Sequence, residues 1–298
     1  MGAGRDRVRP SGRGRLAYRV TASLEGRVVL VTGASRGIGR AVAVAVAAQG
    51  AAVVAVARDA RLLDDLIATL PGSEHRAVAL DVRDQAGWDA LGADLPHLDG
   101  LVTAAGVYGP IGRIDTVDMA LFRDAFEVNL FGTLLAVRAC IEPMAGGGSI
   151  VMLAGGGSEP LPGFDAYVSS KAAIVRLAEN LAAELEPSGI RVNTIAPGFV
   201  ATDIHRATVA AGPAASGADF YARTVQALAE GGFPPSEPAE LAAFLLSDAA
   251  SAVNGRFLSA RWDEWRDPNW RAQQLATPAS LTMRRIDGAI FTAVKTRR

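Results

Sequence analysis

Between Arg27 and Gly50 the chain reads RVVLVTGASRGIGRAVAVAVAAQG, and no other stretch limits its fold as much. Val28 to Thr32 are all apolar or β-branched and run into Gly33, the pattern of a strand buried on both faces. Beyond the turn a helical stretch continues until Gly50 stops it. A buried strand that passes straight into a helix through a glycine-bearing turn is the opening of a βα unit. The glycines Gly33, Gly37 and Gly39 permit a tight turn and let backbone approach a pyrophosphate, which then rests on the helix N-terminus.

The same strand signature returns in AAVVAVA, RAVALDV, GLVTAAG, GSIVML, IRVNTIAPG and GRFLSA. Helical stretches separate most of these runs: one near Arg61 to Leu70, closed by Pro71 and Gly72, and amphipathic ones over Asp118 to Pro143 and Tyr167 to Leu185. Continuous apolar strands alternating with helices predict a doubly wound parallel α/β sheet of the Rossmann type, covered on both faces. A single domain over 23–260 accounts for the pattern, with no internal boundary. The Gly/Pro/Ala-rich segment Gly212 to Pro238 reads as the longest irregular stretch, with one short helix in ADFYARTVQALAE. Residues 204–238 are expected to form a lid over the site, since ligands sit beyond the carboxyl ends of parallel strands. The tail 261–298 carries Trp262, Trp265 and Trp270 and is expected to pack on the body or on a neighbouring subunit.

Composition narrows the function. The 298 residues carry a net charge of −1, and half of them are hydrophobic. That describes a soluble globular protein and not a nucleic-acid binder. The arginines Arg5, Arg7, Arg9, Arg13, Arg15 and Arg19 are confined to a glycine-rich arm, 1–22, expected to be disordered and outside the fold. The arm lacks the apolar core of a secretory signal, and no apolar run approaches the roughly 20 residues that span a bilayer. Cys140 is the single cysteine, so no internal disulfide forms and a reducing cytoplasm is the expected compartment. His75, His97 and His205 are scattered without metal-ligand spacing, and no metal site is expected.

Thr32-Gly33-Ala34-Ser35-Arg36-Gly37-Ile38-Gly39 resembles the TGxxxGxG loop of the short-chain dehydrogenases/reductases, and further landmarks of that family follow in order. Asp81-Val82 matches its adenine-contacting pair. Thr103-Ala104-Ala105-Gly106 stands where the family has NNAG, with only the AG half kept. Asn129 in FEVNLFGT matches the helix asparagine, Tyr167-x-x-x-Lys171 matches the YxxxK pair, and Pro197-Gly198 with Thr202 matches PGxxxT. The resemblance covers about Leu24 to Ala260.

A nicotinamide dinucleotide is the cofactor this resemblance implies, held by Gly33, Ser35, Arg36, Gly37, Ile38, Gly39, Asp81, Val82, Ala104, Ala105, Gly106, Tyr167, Lys171, Pro197, Gly198, Val200 and Thr202. Charge decides which one is expected. The family position whose carboxylate would repel a 2′-phosphate is the neutral Ala57, followed by Arg58, with Arg36 as a second cation. Arginine matches phosphate geometry, so NADP(H) is favoured over NAD(H). The alternative role for Arg58 is a surface ion pair with Asp59 or Asp64.

Tyr167 is the expected proton donor and acceptor. Lys171, four residues on along the same helix face, would favour its ionised form. By resemblance Lys171 also bonds the nicotinamide ribose, and Asn129 holds a water that relays protons from it. The family's substrate-binding serine has no counterpart here. Counting back from Tyr167 reaches Ala154, and aligning the strand reaches Gly155. Gly155, Gly156, Ser158 and Tyr108 are the candidate substrate contacts. The expected activity is interconversion of a ketone and a secondary alcohol on a polar or bulky metabolite, such as a sugar-like compound or a secondary-metabolite intermediate, by a homotetramer or homodimer. The alternative is an altered relative: a dinucleotide-binding sensor or partner subunit, or a non-redox enzyme of elimination or epimerisation.

Overall fold

All seven expected runs are strands. The computed structural model describes residues 23–155, 160–277 and 279–283. Its strands are β1 (Val28–Thr32), β2 (Ala52–Ala57), β3 (Arg76–Ala79), β4 (Gly100–Thr103), β5 (Gly148–Leu153), β6 (Ile190–Ala196) and β7 (Phe257–Ser259). They form one parallel sheet in the order β3-β2-β1-β4-β5-β6-β7. Successive side chains point to opposite faces, so the central strands β1, β2, β4 and β5 are apolar on both sides. Val29 and Val31 of β1 join one core, while Leu30 between them joins the other.

The helices are α1 (Gly37–Ala47), α2 (Ala60–Ile67), α3 (Gln85–Asp94), α4 (Met119–Phe126), α5 (Gly132–Cys140), α6 (Asp165–Glu184), α7 (Arg206–Ser216), α8 (Ala218–Glu230), α9 (Ser236–Leu246) and α10 (Pro268–Leu275). One core holds residues of α1 and α9, with Val42, Val46 and Phe244. The other holds residues of α3, α5 and α6, with Trp88, Val137 and Ile174. Four of these helices begin on an aspartate that accepts from the first turn: Asp59 from Leu62, Asp84 from Gly87, Asp118 from Ala120 and Asp267 from Asn269. Such caps satisfy backbone N–H groups that a helix leaves without partners.

The strand order reverses at β1, which has β2 on one side and β4 on the other. A crevice opens beyond the carboxyl ends of the strands at such a switch point. Register pairs Thr32 with Val56 and with Thr103, Thr103 with Met152, and Leu153 with Ile195. The segments following these residues therefore share one rim of the sheet.

Two stretches differ from the sequence reading. Most of Gly212–Pro238 is not irregular: α7 reaches Ser216, and α8 occupies the whole of ADFYARTVQALAE. Its alanines favour helix, while Gly212 (φ 75°), followed by Pro213, only kinks the path and Gly231 (φ 86°) closes it. The base of this excursion is tied to β6 by a bridge between Val200 and Gly232 and by Phe233 N donating to Phe199 O. The tail, as far as Met283, packs on its own chain. Trp265 is buried against the Phe244 ring at 5.6 Å, and Phe257 N donates to Leu281 O at 2.6 Å. The arm 1–22 and residues 284–298 lie outside the described residues.

Candidate active site

The crevice is a cleft of about 2140 Å³ that runs along the rim from Arg58 and Asp81, past the glycine loop, to Tyr167, Lys171 and the excursion after β6. The glycine loop forms one wall. A Cβ at Gly33 would stand 2.8 Å from Ala105 N, so β1 and β4 can close together only over a glycine. Gly37 is left-handed (φ 56°), and a Cβ there would meet Thr202 Cγ2 at 3.2 Å. The loop and the PGxxxT segment thus touch across the cleft. Behind the loop, α1 begins without a side-chain cap and without an acidic residue in its first turn. Its uncapped N–H groups and positive dipole end favour an anion such as a pyrophosphate. A close-packed glycine cradle, an uncapped helix start and a long cleft together fit a dinucleotide.

At the β2 end, Ala57 is buried and Arg58 is exposed, with no ion pair formed by Arg58 among the described residues. Asp59, one candidate partner, instead caps α2. Arg36 is directed elsewhere: its guanidinium pairs with Asp203 Oδ2 at 3.4 Å, just past Thr202. Arg36 and Arg58 both line the cleft. Asp81 is gripped by Arg83, whose Nε and Nη2 reach its two oxygens at 3.0 and 2.7 Å. Those hydrogen bonds, with the Arg83 and Arg58 charges, hold the Asp81 carboxyl down at about 2. Val82 packs on Gly132 and accepts from the Trp88 indole at 2.9 Å.

At the other end, α6 presents Tyr167 and Lys171 to the cleft. Lys171 is buried and donates from Nζ to Leu153 O at 2.9 Å. Burial pulls its ammonium down to about 8 and pushes the Tyr167 phenol up to about 12. In the bare protein, desolvation therefore opposes the charge on both groups. Gly106 lets the two sides meet, since a Cβ there would lie 3.3 Å from Lys171 Nζ and 3.2 Å from Asn129 Oδ1.

Asn129 sits in a π-helical turn, Glu127–Phe131, between α4 and α5, an insertion frequent at functional sites. Its side chain makes three hydrogen bonds within the protein. Oδ1 accepts from Val107 N at 2.8 Å, and Nδ2 donates to Val107 O and Ser170 Oγ, both at 2.9 Å. Its backbone carbonyl accepts from Thr133 Oγ1 at 2.8 Å. Asn129 thereby locks the loop after β4 onto α6, the helix of Tyr167 and Lys171.

Gly155 is where the serine question is decided. It follows directly on the buried Ala154 at the end of β5 and lies under the Tyr167 hydroxyl. A Cβ built on Gly155 would overlap Tyr167 Oη and stand 3.0 Å from Cζ. Of the two sequence alignments, the strand-based one puts its residue beside the phenol. Gly156 and Ser158 lie outside the described residues. Tyr108 lines the cleft, its ring edge-on to Tyr167 with centroids 4.7 Å apart.

Sequence reasoning passed over four aromatic neighbours. His205 hydrogen-bonds Tyr108 and lies flat on Phe199 at 3.9 Å. Phe164 meets Tyr108 and Phe220, which brings α8 onto the start of α6. A histidine three residues past Thr202 was a usable signal, but only once that segment is known to face the cleft. Among the described residues no group of three metal-ligating side chains comes together, and no helix is long and apolar enough to cross a membrane.

With this geometry, similarity to known proteins becomes informative. A family model described as enoyl-(acyl carrier protein) reductase matches residues 33–260. D-Threitol dehydrogenase of Mycolicibacterium smegmatis is 38% identical over 243 residues, covering 78% of this chain and 90% of that one. Cis-4-hydroxycyclohexanecarboxylate dehydrogenase of Sinomonas cyclohexanicum is 37% identical over 243 residues, with coverages of 78% and 94%. A variant of actinorhodin polyketide ketoreductase solved with NADPH superposes with a TM-score of 0.70 at 29% identity, over 78% of this chain and 95% of that one. The chain belongs to the short-chain dehydrogenase/reductase family. It is an oxidoreductase of the class that uses a nicotinamide dinucleotide.

Proposed function

We propose that this chain is an NADP(H)-dependent reductase that interconverts a ketone and a secondary alcohol on a hydroxylated or bulky metabolite. One observation carries the reading: Tyr167 and Lys171 face the same cleft whose far end is the glycine loop and Arg58. A bound nicotinamide supplies the hydride donor or acceptor. The residues proposed to hold it are the glycine loop, Ala104 to Gly106, Lys171, and Pro197 to Thr202. Arg58 is proposed to receive the 2′-phosphate, since it forms no ion pair among the described residues.

In the reducing direction the Tyr167 O–H delivers its proton to the substrate oxygen as that oxygen gains charge. Burial keeps the phenol protonated near neutrality, and an ammonium at Lys171 offsets part of the cost of giving up that proton. In the oxidising direction Tyr167 must take up the alcohol proton, and an ammonium at Lys171 makes the tyrosinate less costly. Lys171, Asn129 and Ser170 hold α6 and the loop after β4 in one arrangement, so the proton and the cofactor groove keep their relative position. The relatives named above act on a tetritol and on a hydroxycycloalkane acid, which supports a secondary alcohol as substrate. A cytoplasmic homo-oligomer remains the proposed setting.

The experiment is steady-state oxidation of NADPH with a panel of ketones, comparing wild type with Tyr167→Phe. General acid–base catalysis contributes typically 10²–10⁴-fold, so the variant should lose about a thousandfold in kcat while still binding NADPH. Retained activity in Tyr167→Phe, or tight NADPH binding with no turnover of any ketone by wild type, would favour the sensor or non-redox alternatives.

A further inference from the structure

Strand β7 ends in Ser259, and the four residues that follow fold back on it as a closed turn. Asp263 Oδ2 accepts from Ser259 N at 2.7 Å, Asp263 N donates to Ser259 O at 3.3 Å, and Trp262 N donates to Ser259 Oγ at 3.2 Å. Ala260 N donates to Ala196 O at 2.9 Å, which seats the turn on the end of β6. Arg261 and Trp262 stand on this turn, both exposed and both lining the cleft. Neither has a part in the Tyr167 proton transfer or the glycine loop.

The Arg261 guanidinium lies near two rings, 4.7 Å from the centroid of Trp262 and 5.7 Å from that of Phe233. Its stem packs on the PGxxxT segment: a Cβ at Gly198 would meet Arg261 Cβ at 3.5 Å and Phe233 Cδ1 at 3.2 Å. The rings hold the cation in place without neutralising it, and it forms no ion pair or hydrogen bond among the described residues. The carboxylates at this end of the cleft bond elsewhere, Asp263 within the turn and Glu230 with Gln226 Nε2 at 2.9 Å. Arg223, the other arginine there, donates to Asp219 O at 3.3 Å. A guanidinium held against aromatic rings is pre-organised, so its planar donor fork loses little freedom on pairing with an oxyanion.

Strand register sets how far this cation lies from the chemistry. Leu153 pairs with Ile195, and Ala196 with Ser259, so β5 and β7 flank β6 at their carboxyl ends. Two strand spacings put the end of β7 about 10 Å from the end of β5, where Gly155 lies under the Tyr167 hydroxyl. A substrate whose carbonyl meets Tyr167 therefore reaches Arg261 only through an anion several bonds away. We propose that Arg261, steadied by Trp262 and Phe233, is a further substrate-binding residue that pairs with a carboxylate or phosphate remote from the reacting carbon, making long oxo acids and phosphorylated ketones the preferred substrate class. This rests on the reductase reading above and narrows it. An anion directly beside the carbonyl, as in a 2-oxo acid, falls short of Arg261.

The test uses the full chain with NADPH and three oxo acids, pyruvate, 5-oxohexanoate and 7-oxooctanoate, each against its methyl ester. Wild type should favour at least one of the longer acids over its ester in kcat/KM by about tenfold, the effect of one hydrogen bond to a charged group. Pyruvate should show no such preference. In Arg261→Met the ratio should fall toward one, and Arg261→Lys, which keeps the charge but not the fork, should retain part of it. Comparing 6-hydroxyhexan-2-one with its phosphate ester tells which oxyanion the guanidinium takes. The proposal is overturned by equal rates for anionic and neutral forms in both series, by an equal preference for pyruvate, or by a preference that survives in Arg261→Met. Weaker NADPH binding by Arg261→Met would place the guanidinium on a cofactor phosphate and overturn it as well. Failure of wild type to reduce any of these ketones would count against the reductase reading alone. Calorimetric binding of 5-hydroxyhexanoate, 7-hydroxyoctanoate and their methyl esters to the NADP-loaded protein then decides the matter, and equal affinities of acid and ester overturn the proposal.

Discussion

Gly155 shows how one residue can be read two ways. From sequence it is a lost serine; in the structure it is the space that the Tyr167 hydroxyl occupies. Any side chain there must displace either the phenol or the backbone at the end of β5. Restoring the family residue is accordingly expected to harm the enzyme. Gly155→Ser should lower kcat by about tenfold or more, because overpacking forces side chains off their rotamers at a cost of typically 1–3 kcal/mol. Single-turnover kinetics of the variant would check this, and a kcat above wild type would show that Tyr167 yields freely. Tyr167 and Lys171 carry the second residue-scale lesson. Spacing alone put them on one helix face, and the expected effect was a phenol made more acidic by its neighbour. Burial outweighs that effect in the protein without cofactor, raising Tyr167 to about 12 and lowering Lys171 to about 8. Desolvation depends on everything packed around a group, which four residues of sequence do not contain.

At the scale of elements, the strand ends determine what the cleft can hold. β2 ends in Ala57, and the next residue is Arg58, exposed and without an ion pair among the described residues. Asp59 is withdrawn into the α2 cap, so the one carboxylate beside Arg58 in sequence does not neutralise it. Arg58→Ala is therefore expected to raise KM for NADPH by about tenfold while changing KM for NADH little, in line with the 1.5–3 kcal/mol of a hydrogen bond to a charged group. Equal increases for both cofactors would show that Arg58 does not read the 2′-phosphate. Arg36 is left out of this prediction because it leans on Asp203, a half-exposed pair of little energetic weight. The excursion after β6 makes the opposite point about legibility. Its glycines and prolines suggested an irregular stretch, yet helices α7 and α8 fill most of it. Gly212 and Gly231 supply a kink and a cap, and the alanines between them do the rest.

For the whole molecule, the question is which surface meets another copy. Met119, Leu121 and Phe131 on the α4–α5 segment, and Ile114 just before it, are large, apolar and 46–59% exposed. Scattered apolar residues are ordinary on a protein surface, whereas several along one segment mark a contact site. The proposed homo-oligomer is expected to use this surface. The double substitution Leu121→Glu and Phe131→Glu should shift the protein to a smaller species in sedimentation velocity without unfolding it. A wild type that sediments as a monomer would contradict the expectation. In the tail as far as Met283, Trp265 and Leu281 are engaged with their own chain, while Trp262 stays exposed.

By itself the sequence determined the seven strands, the parallel doubly wound sheet, the glycine loop, and the identity of Tyr167, Lys171 and Asn129. These are local or periodic properties: apolar runs, glycine spacing, and residues one helical turn apart, which neighbours in the chain dictate. Only the tertiary structure decided what surrounds them. It placed Gly155 under the phenol, turned Arg36 toward Asp203, tied Asn129 to Val107 and Ser170, and brought His205 to Tyr108 across 97 positions of chain. Contacts between distant segments and the burial they impose are set by the packing of the whole sheet and its helices, and no window of the sequence records them.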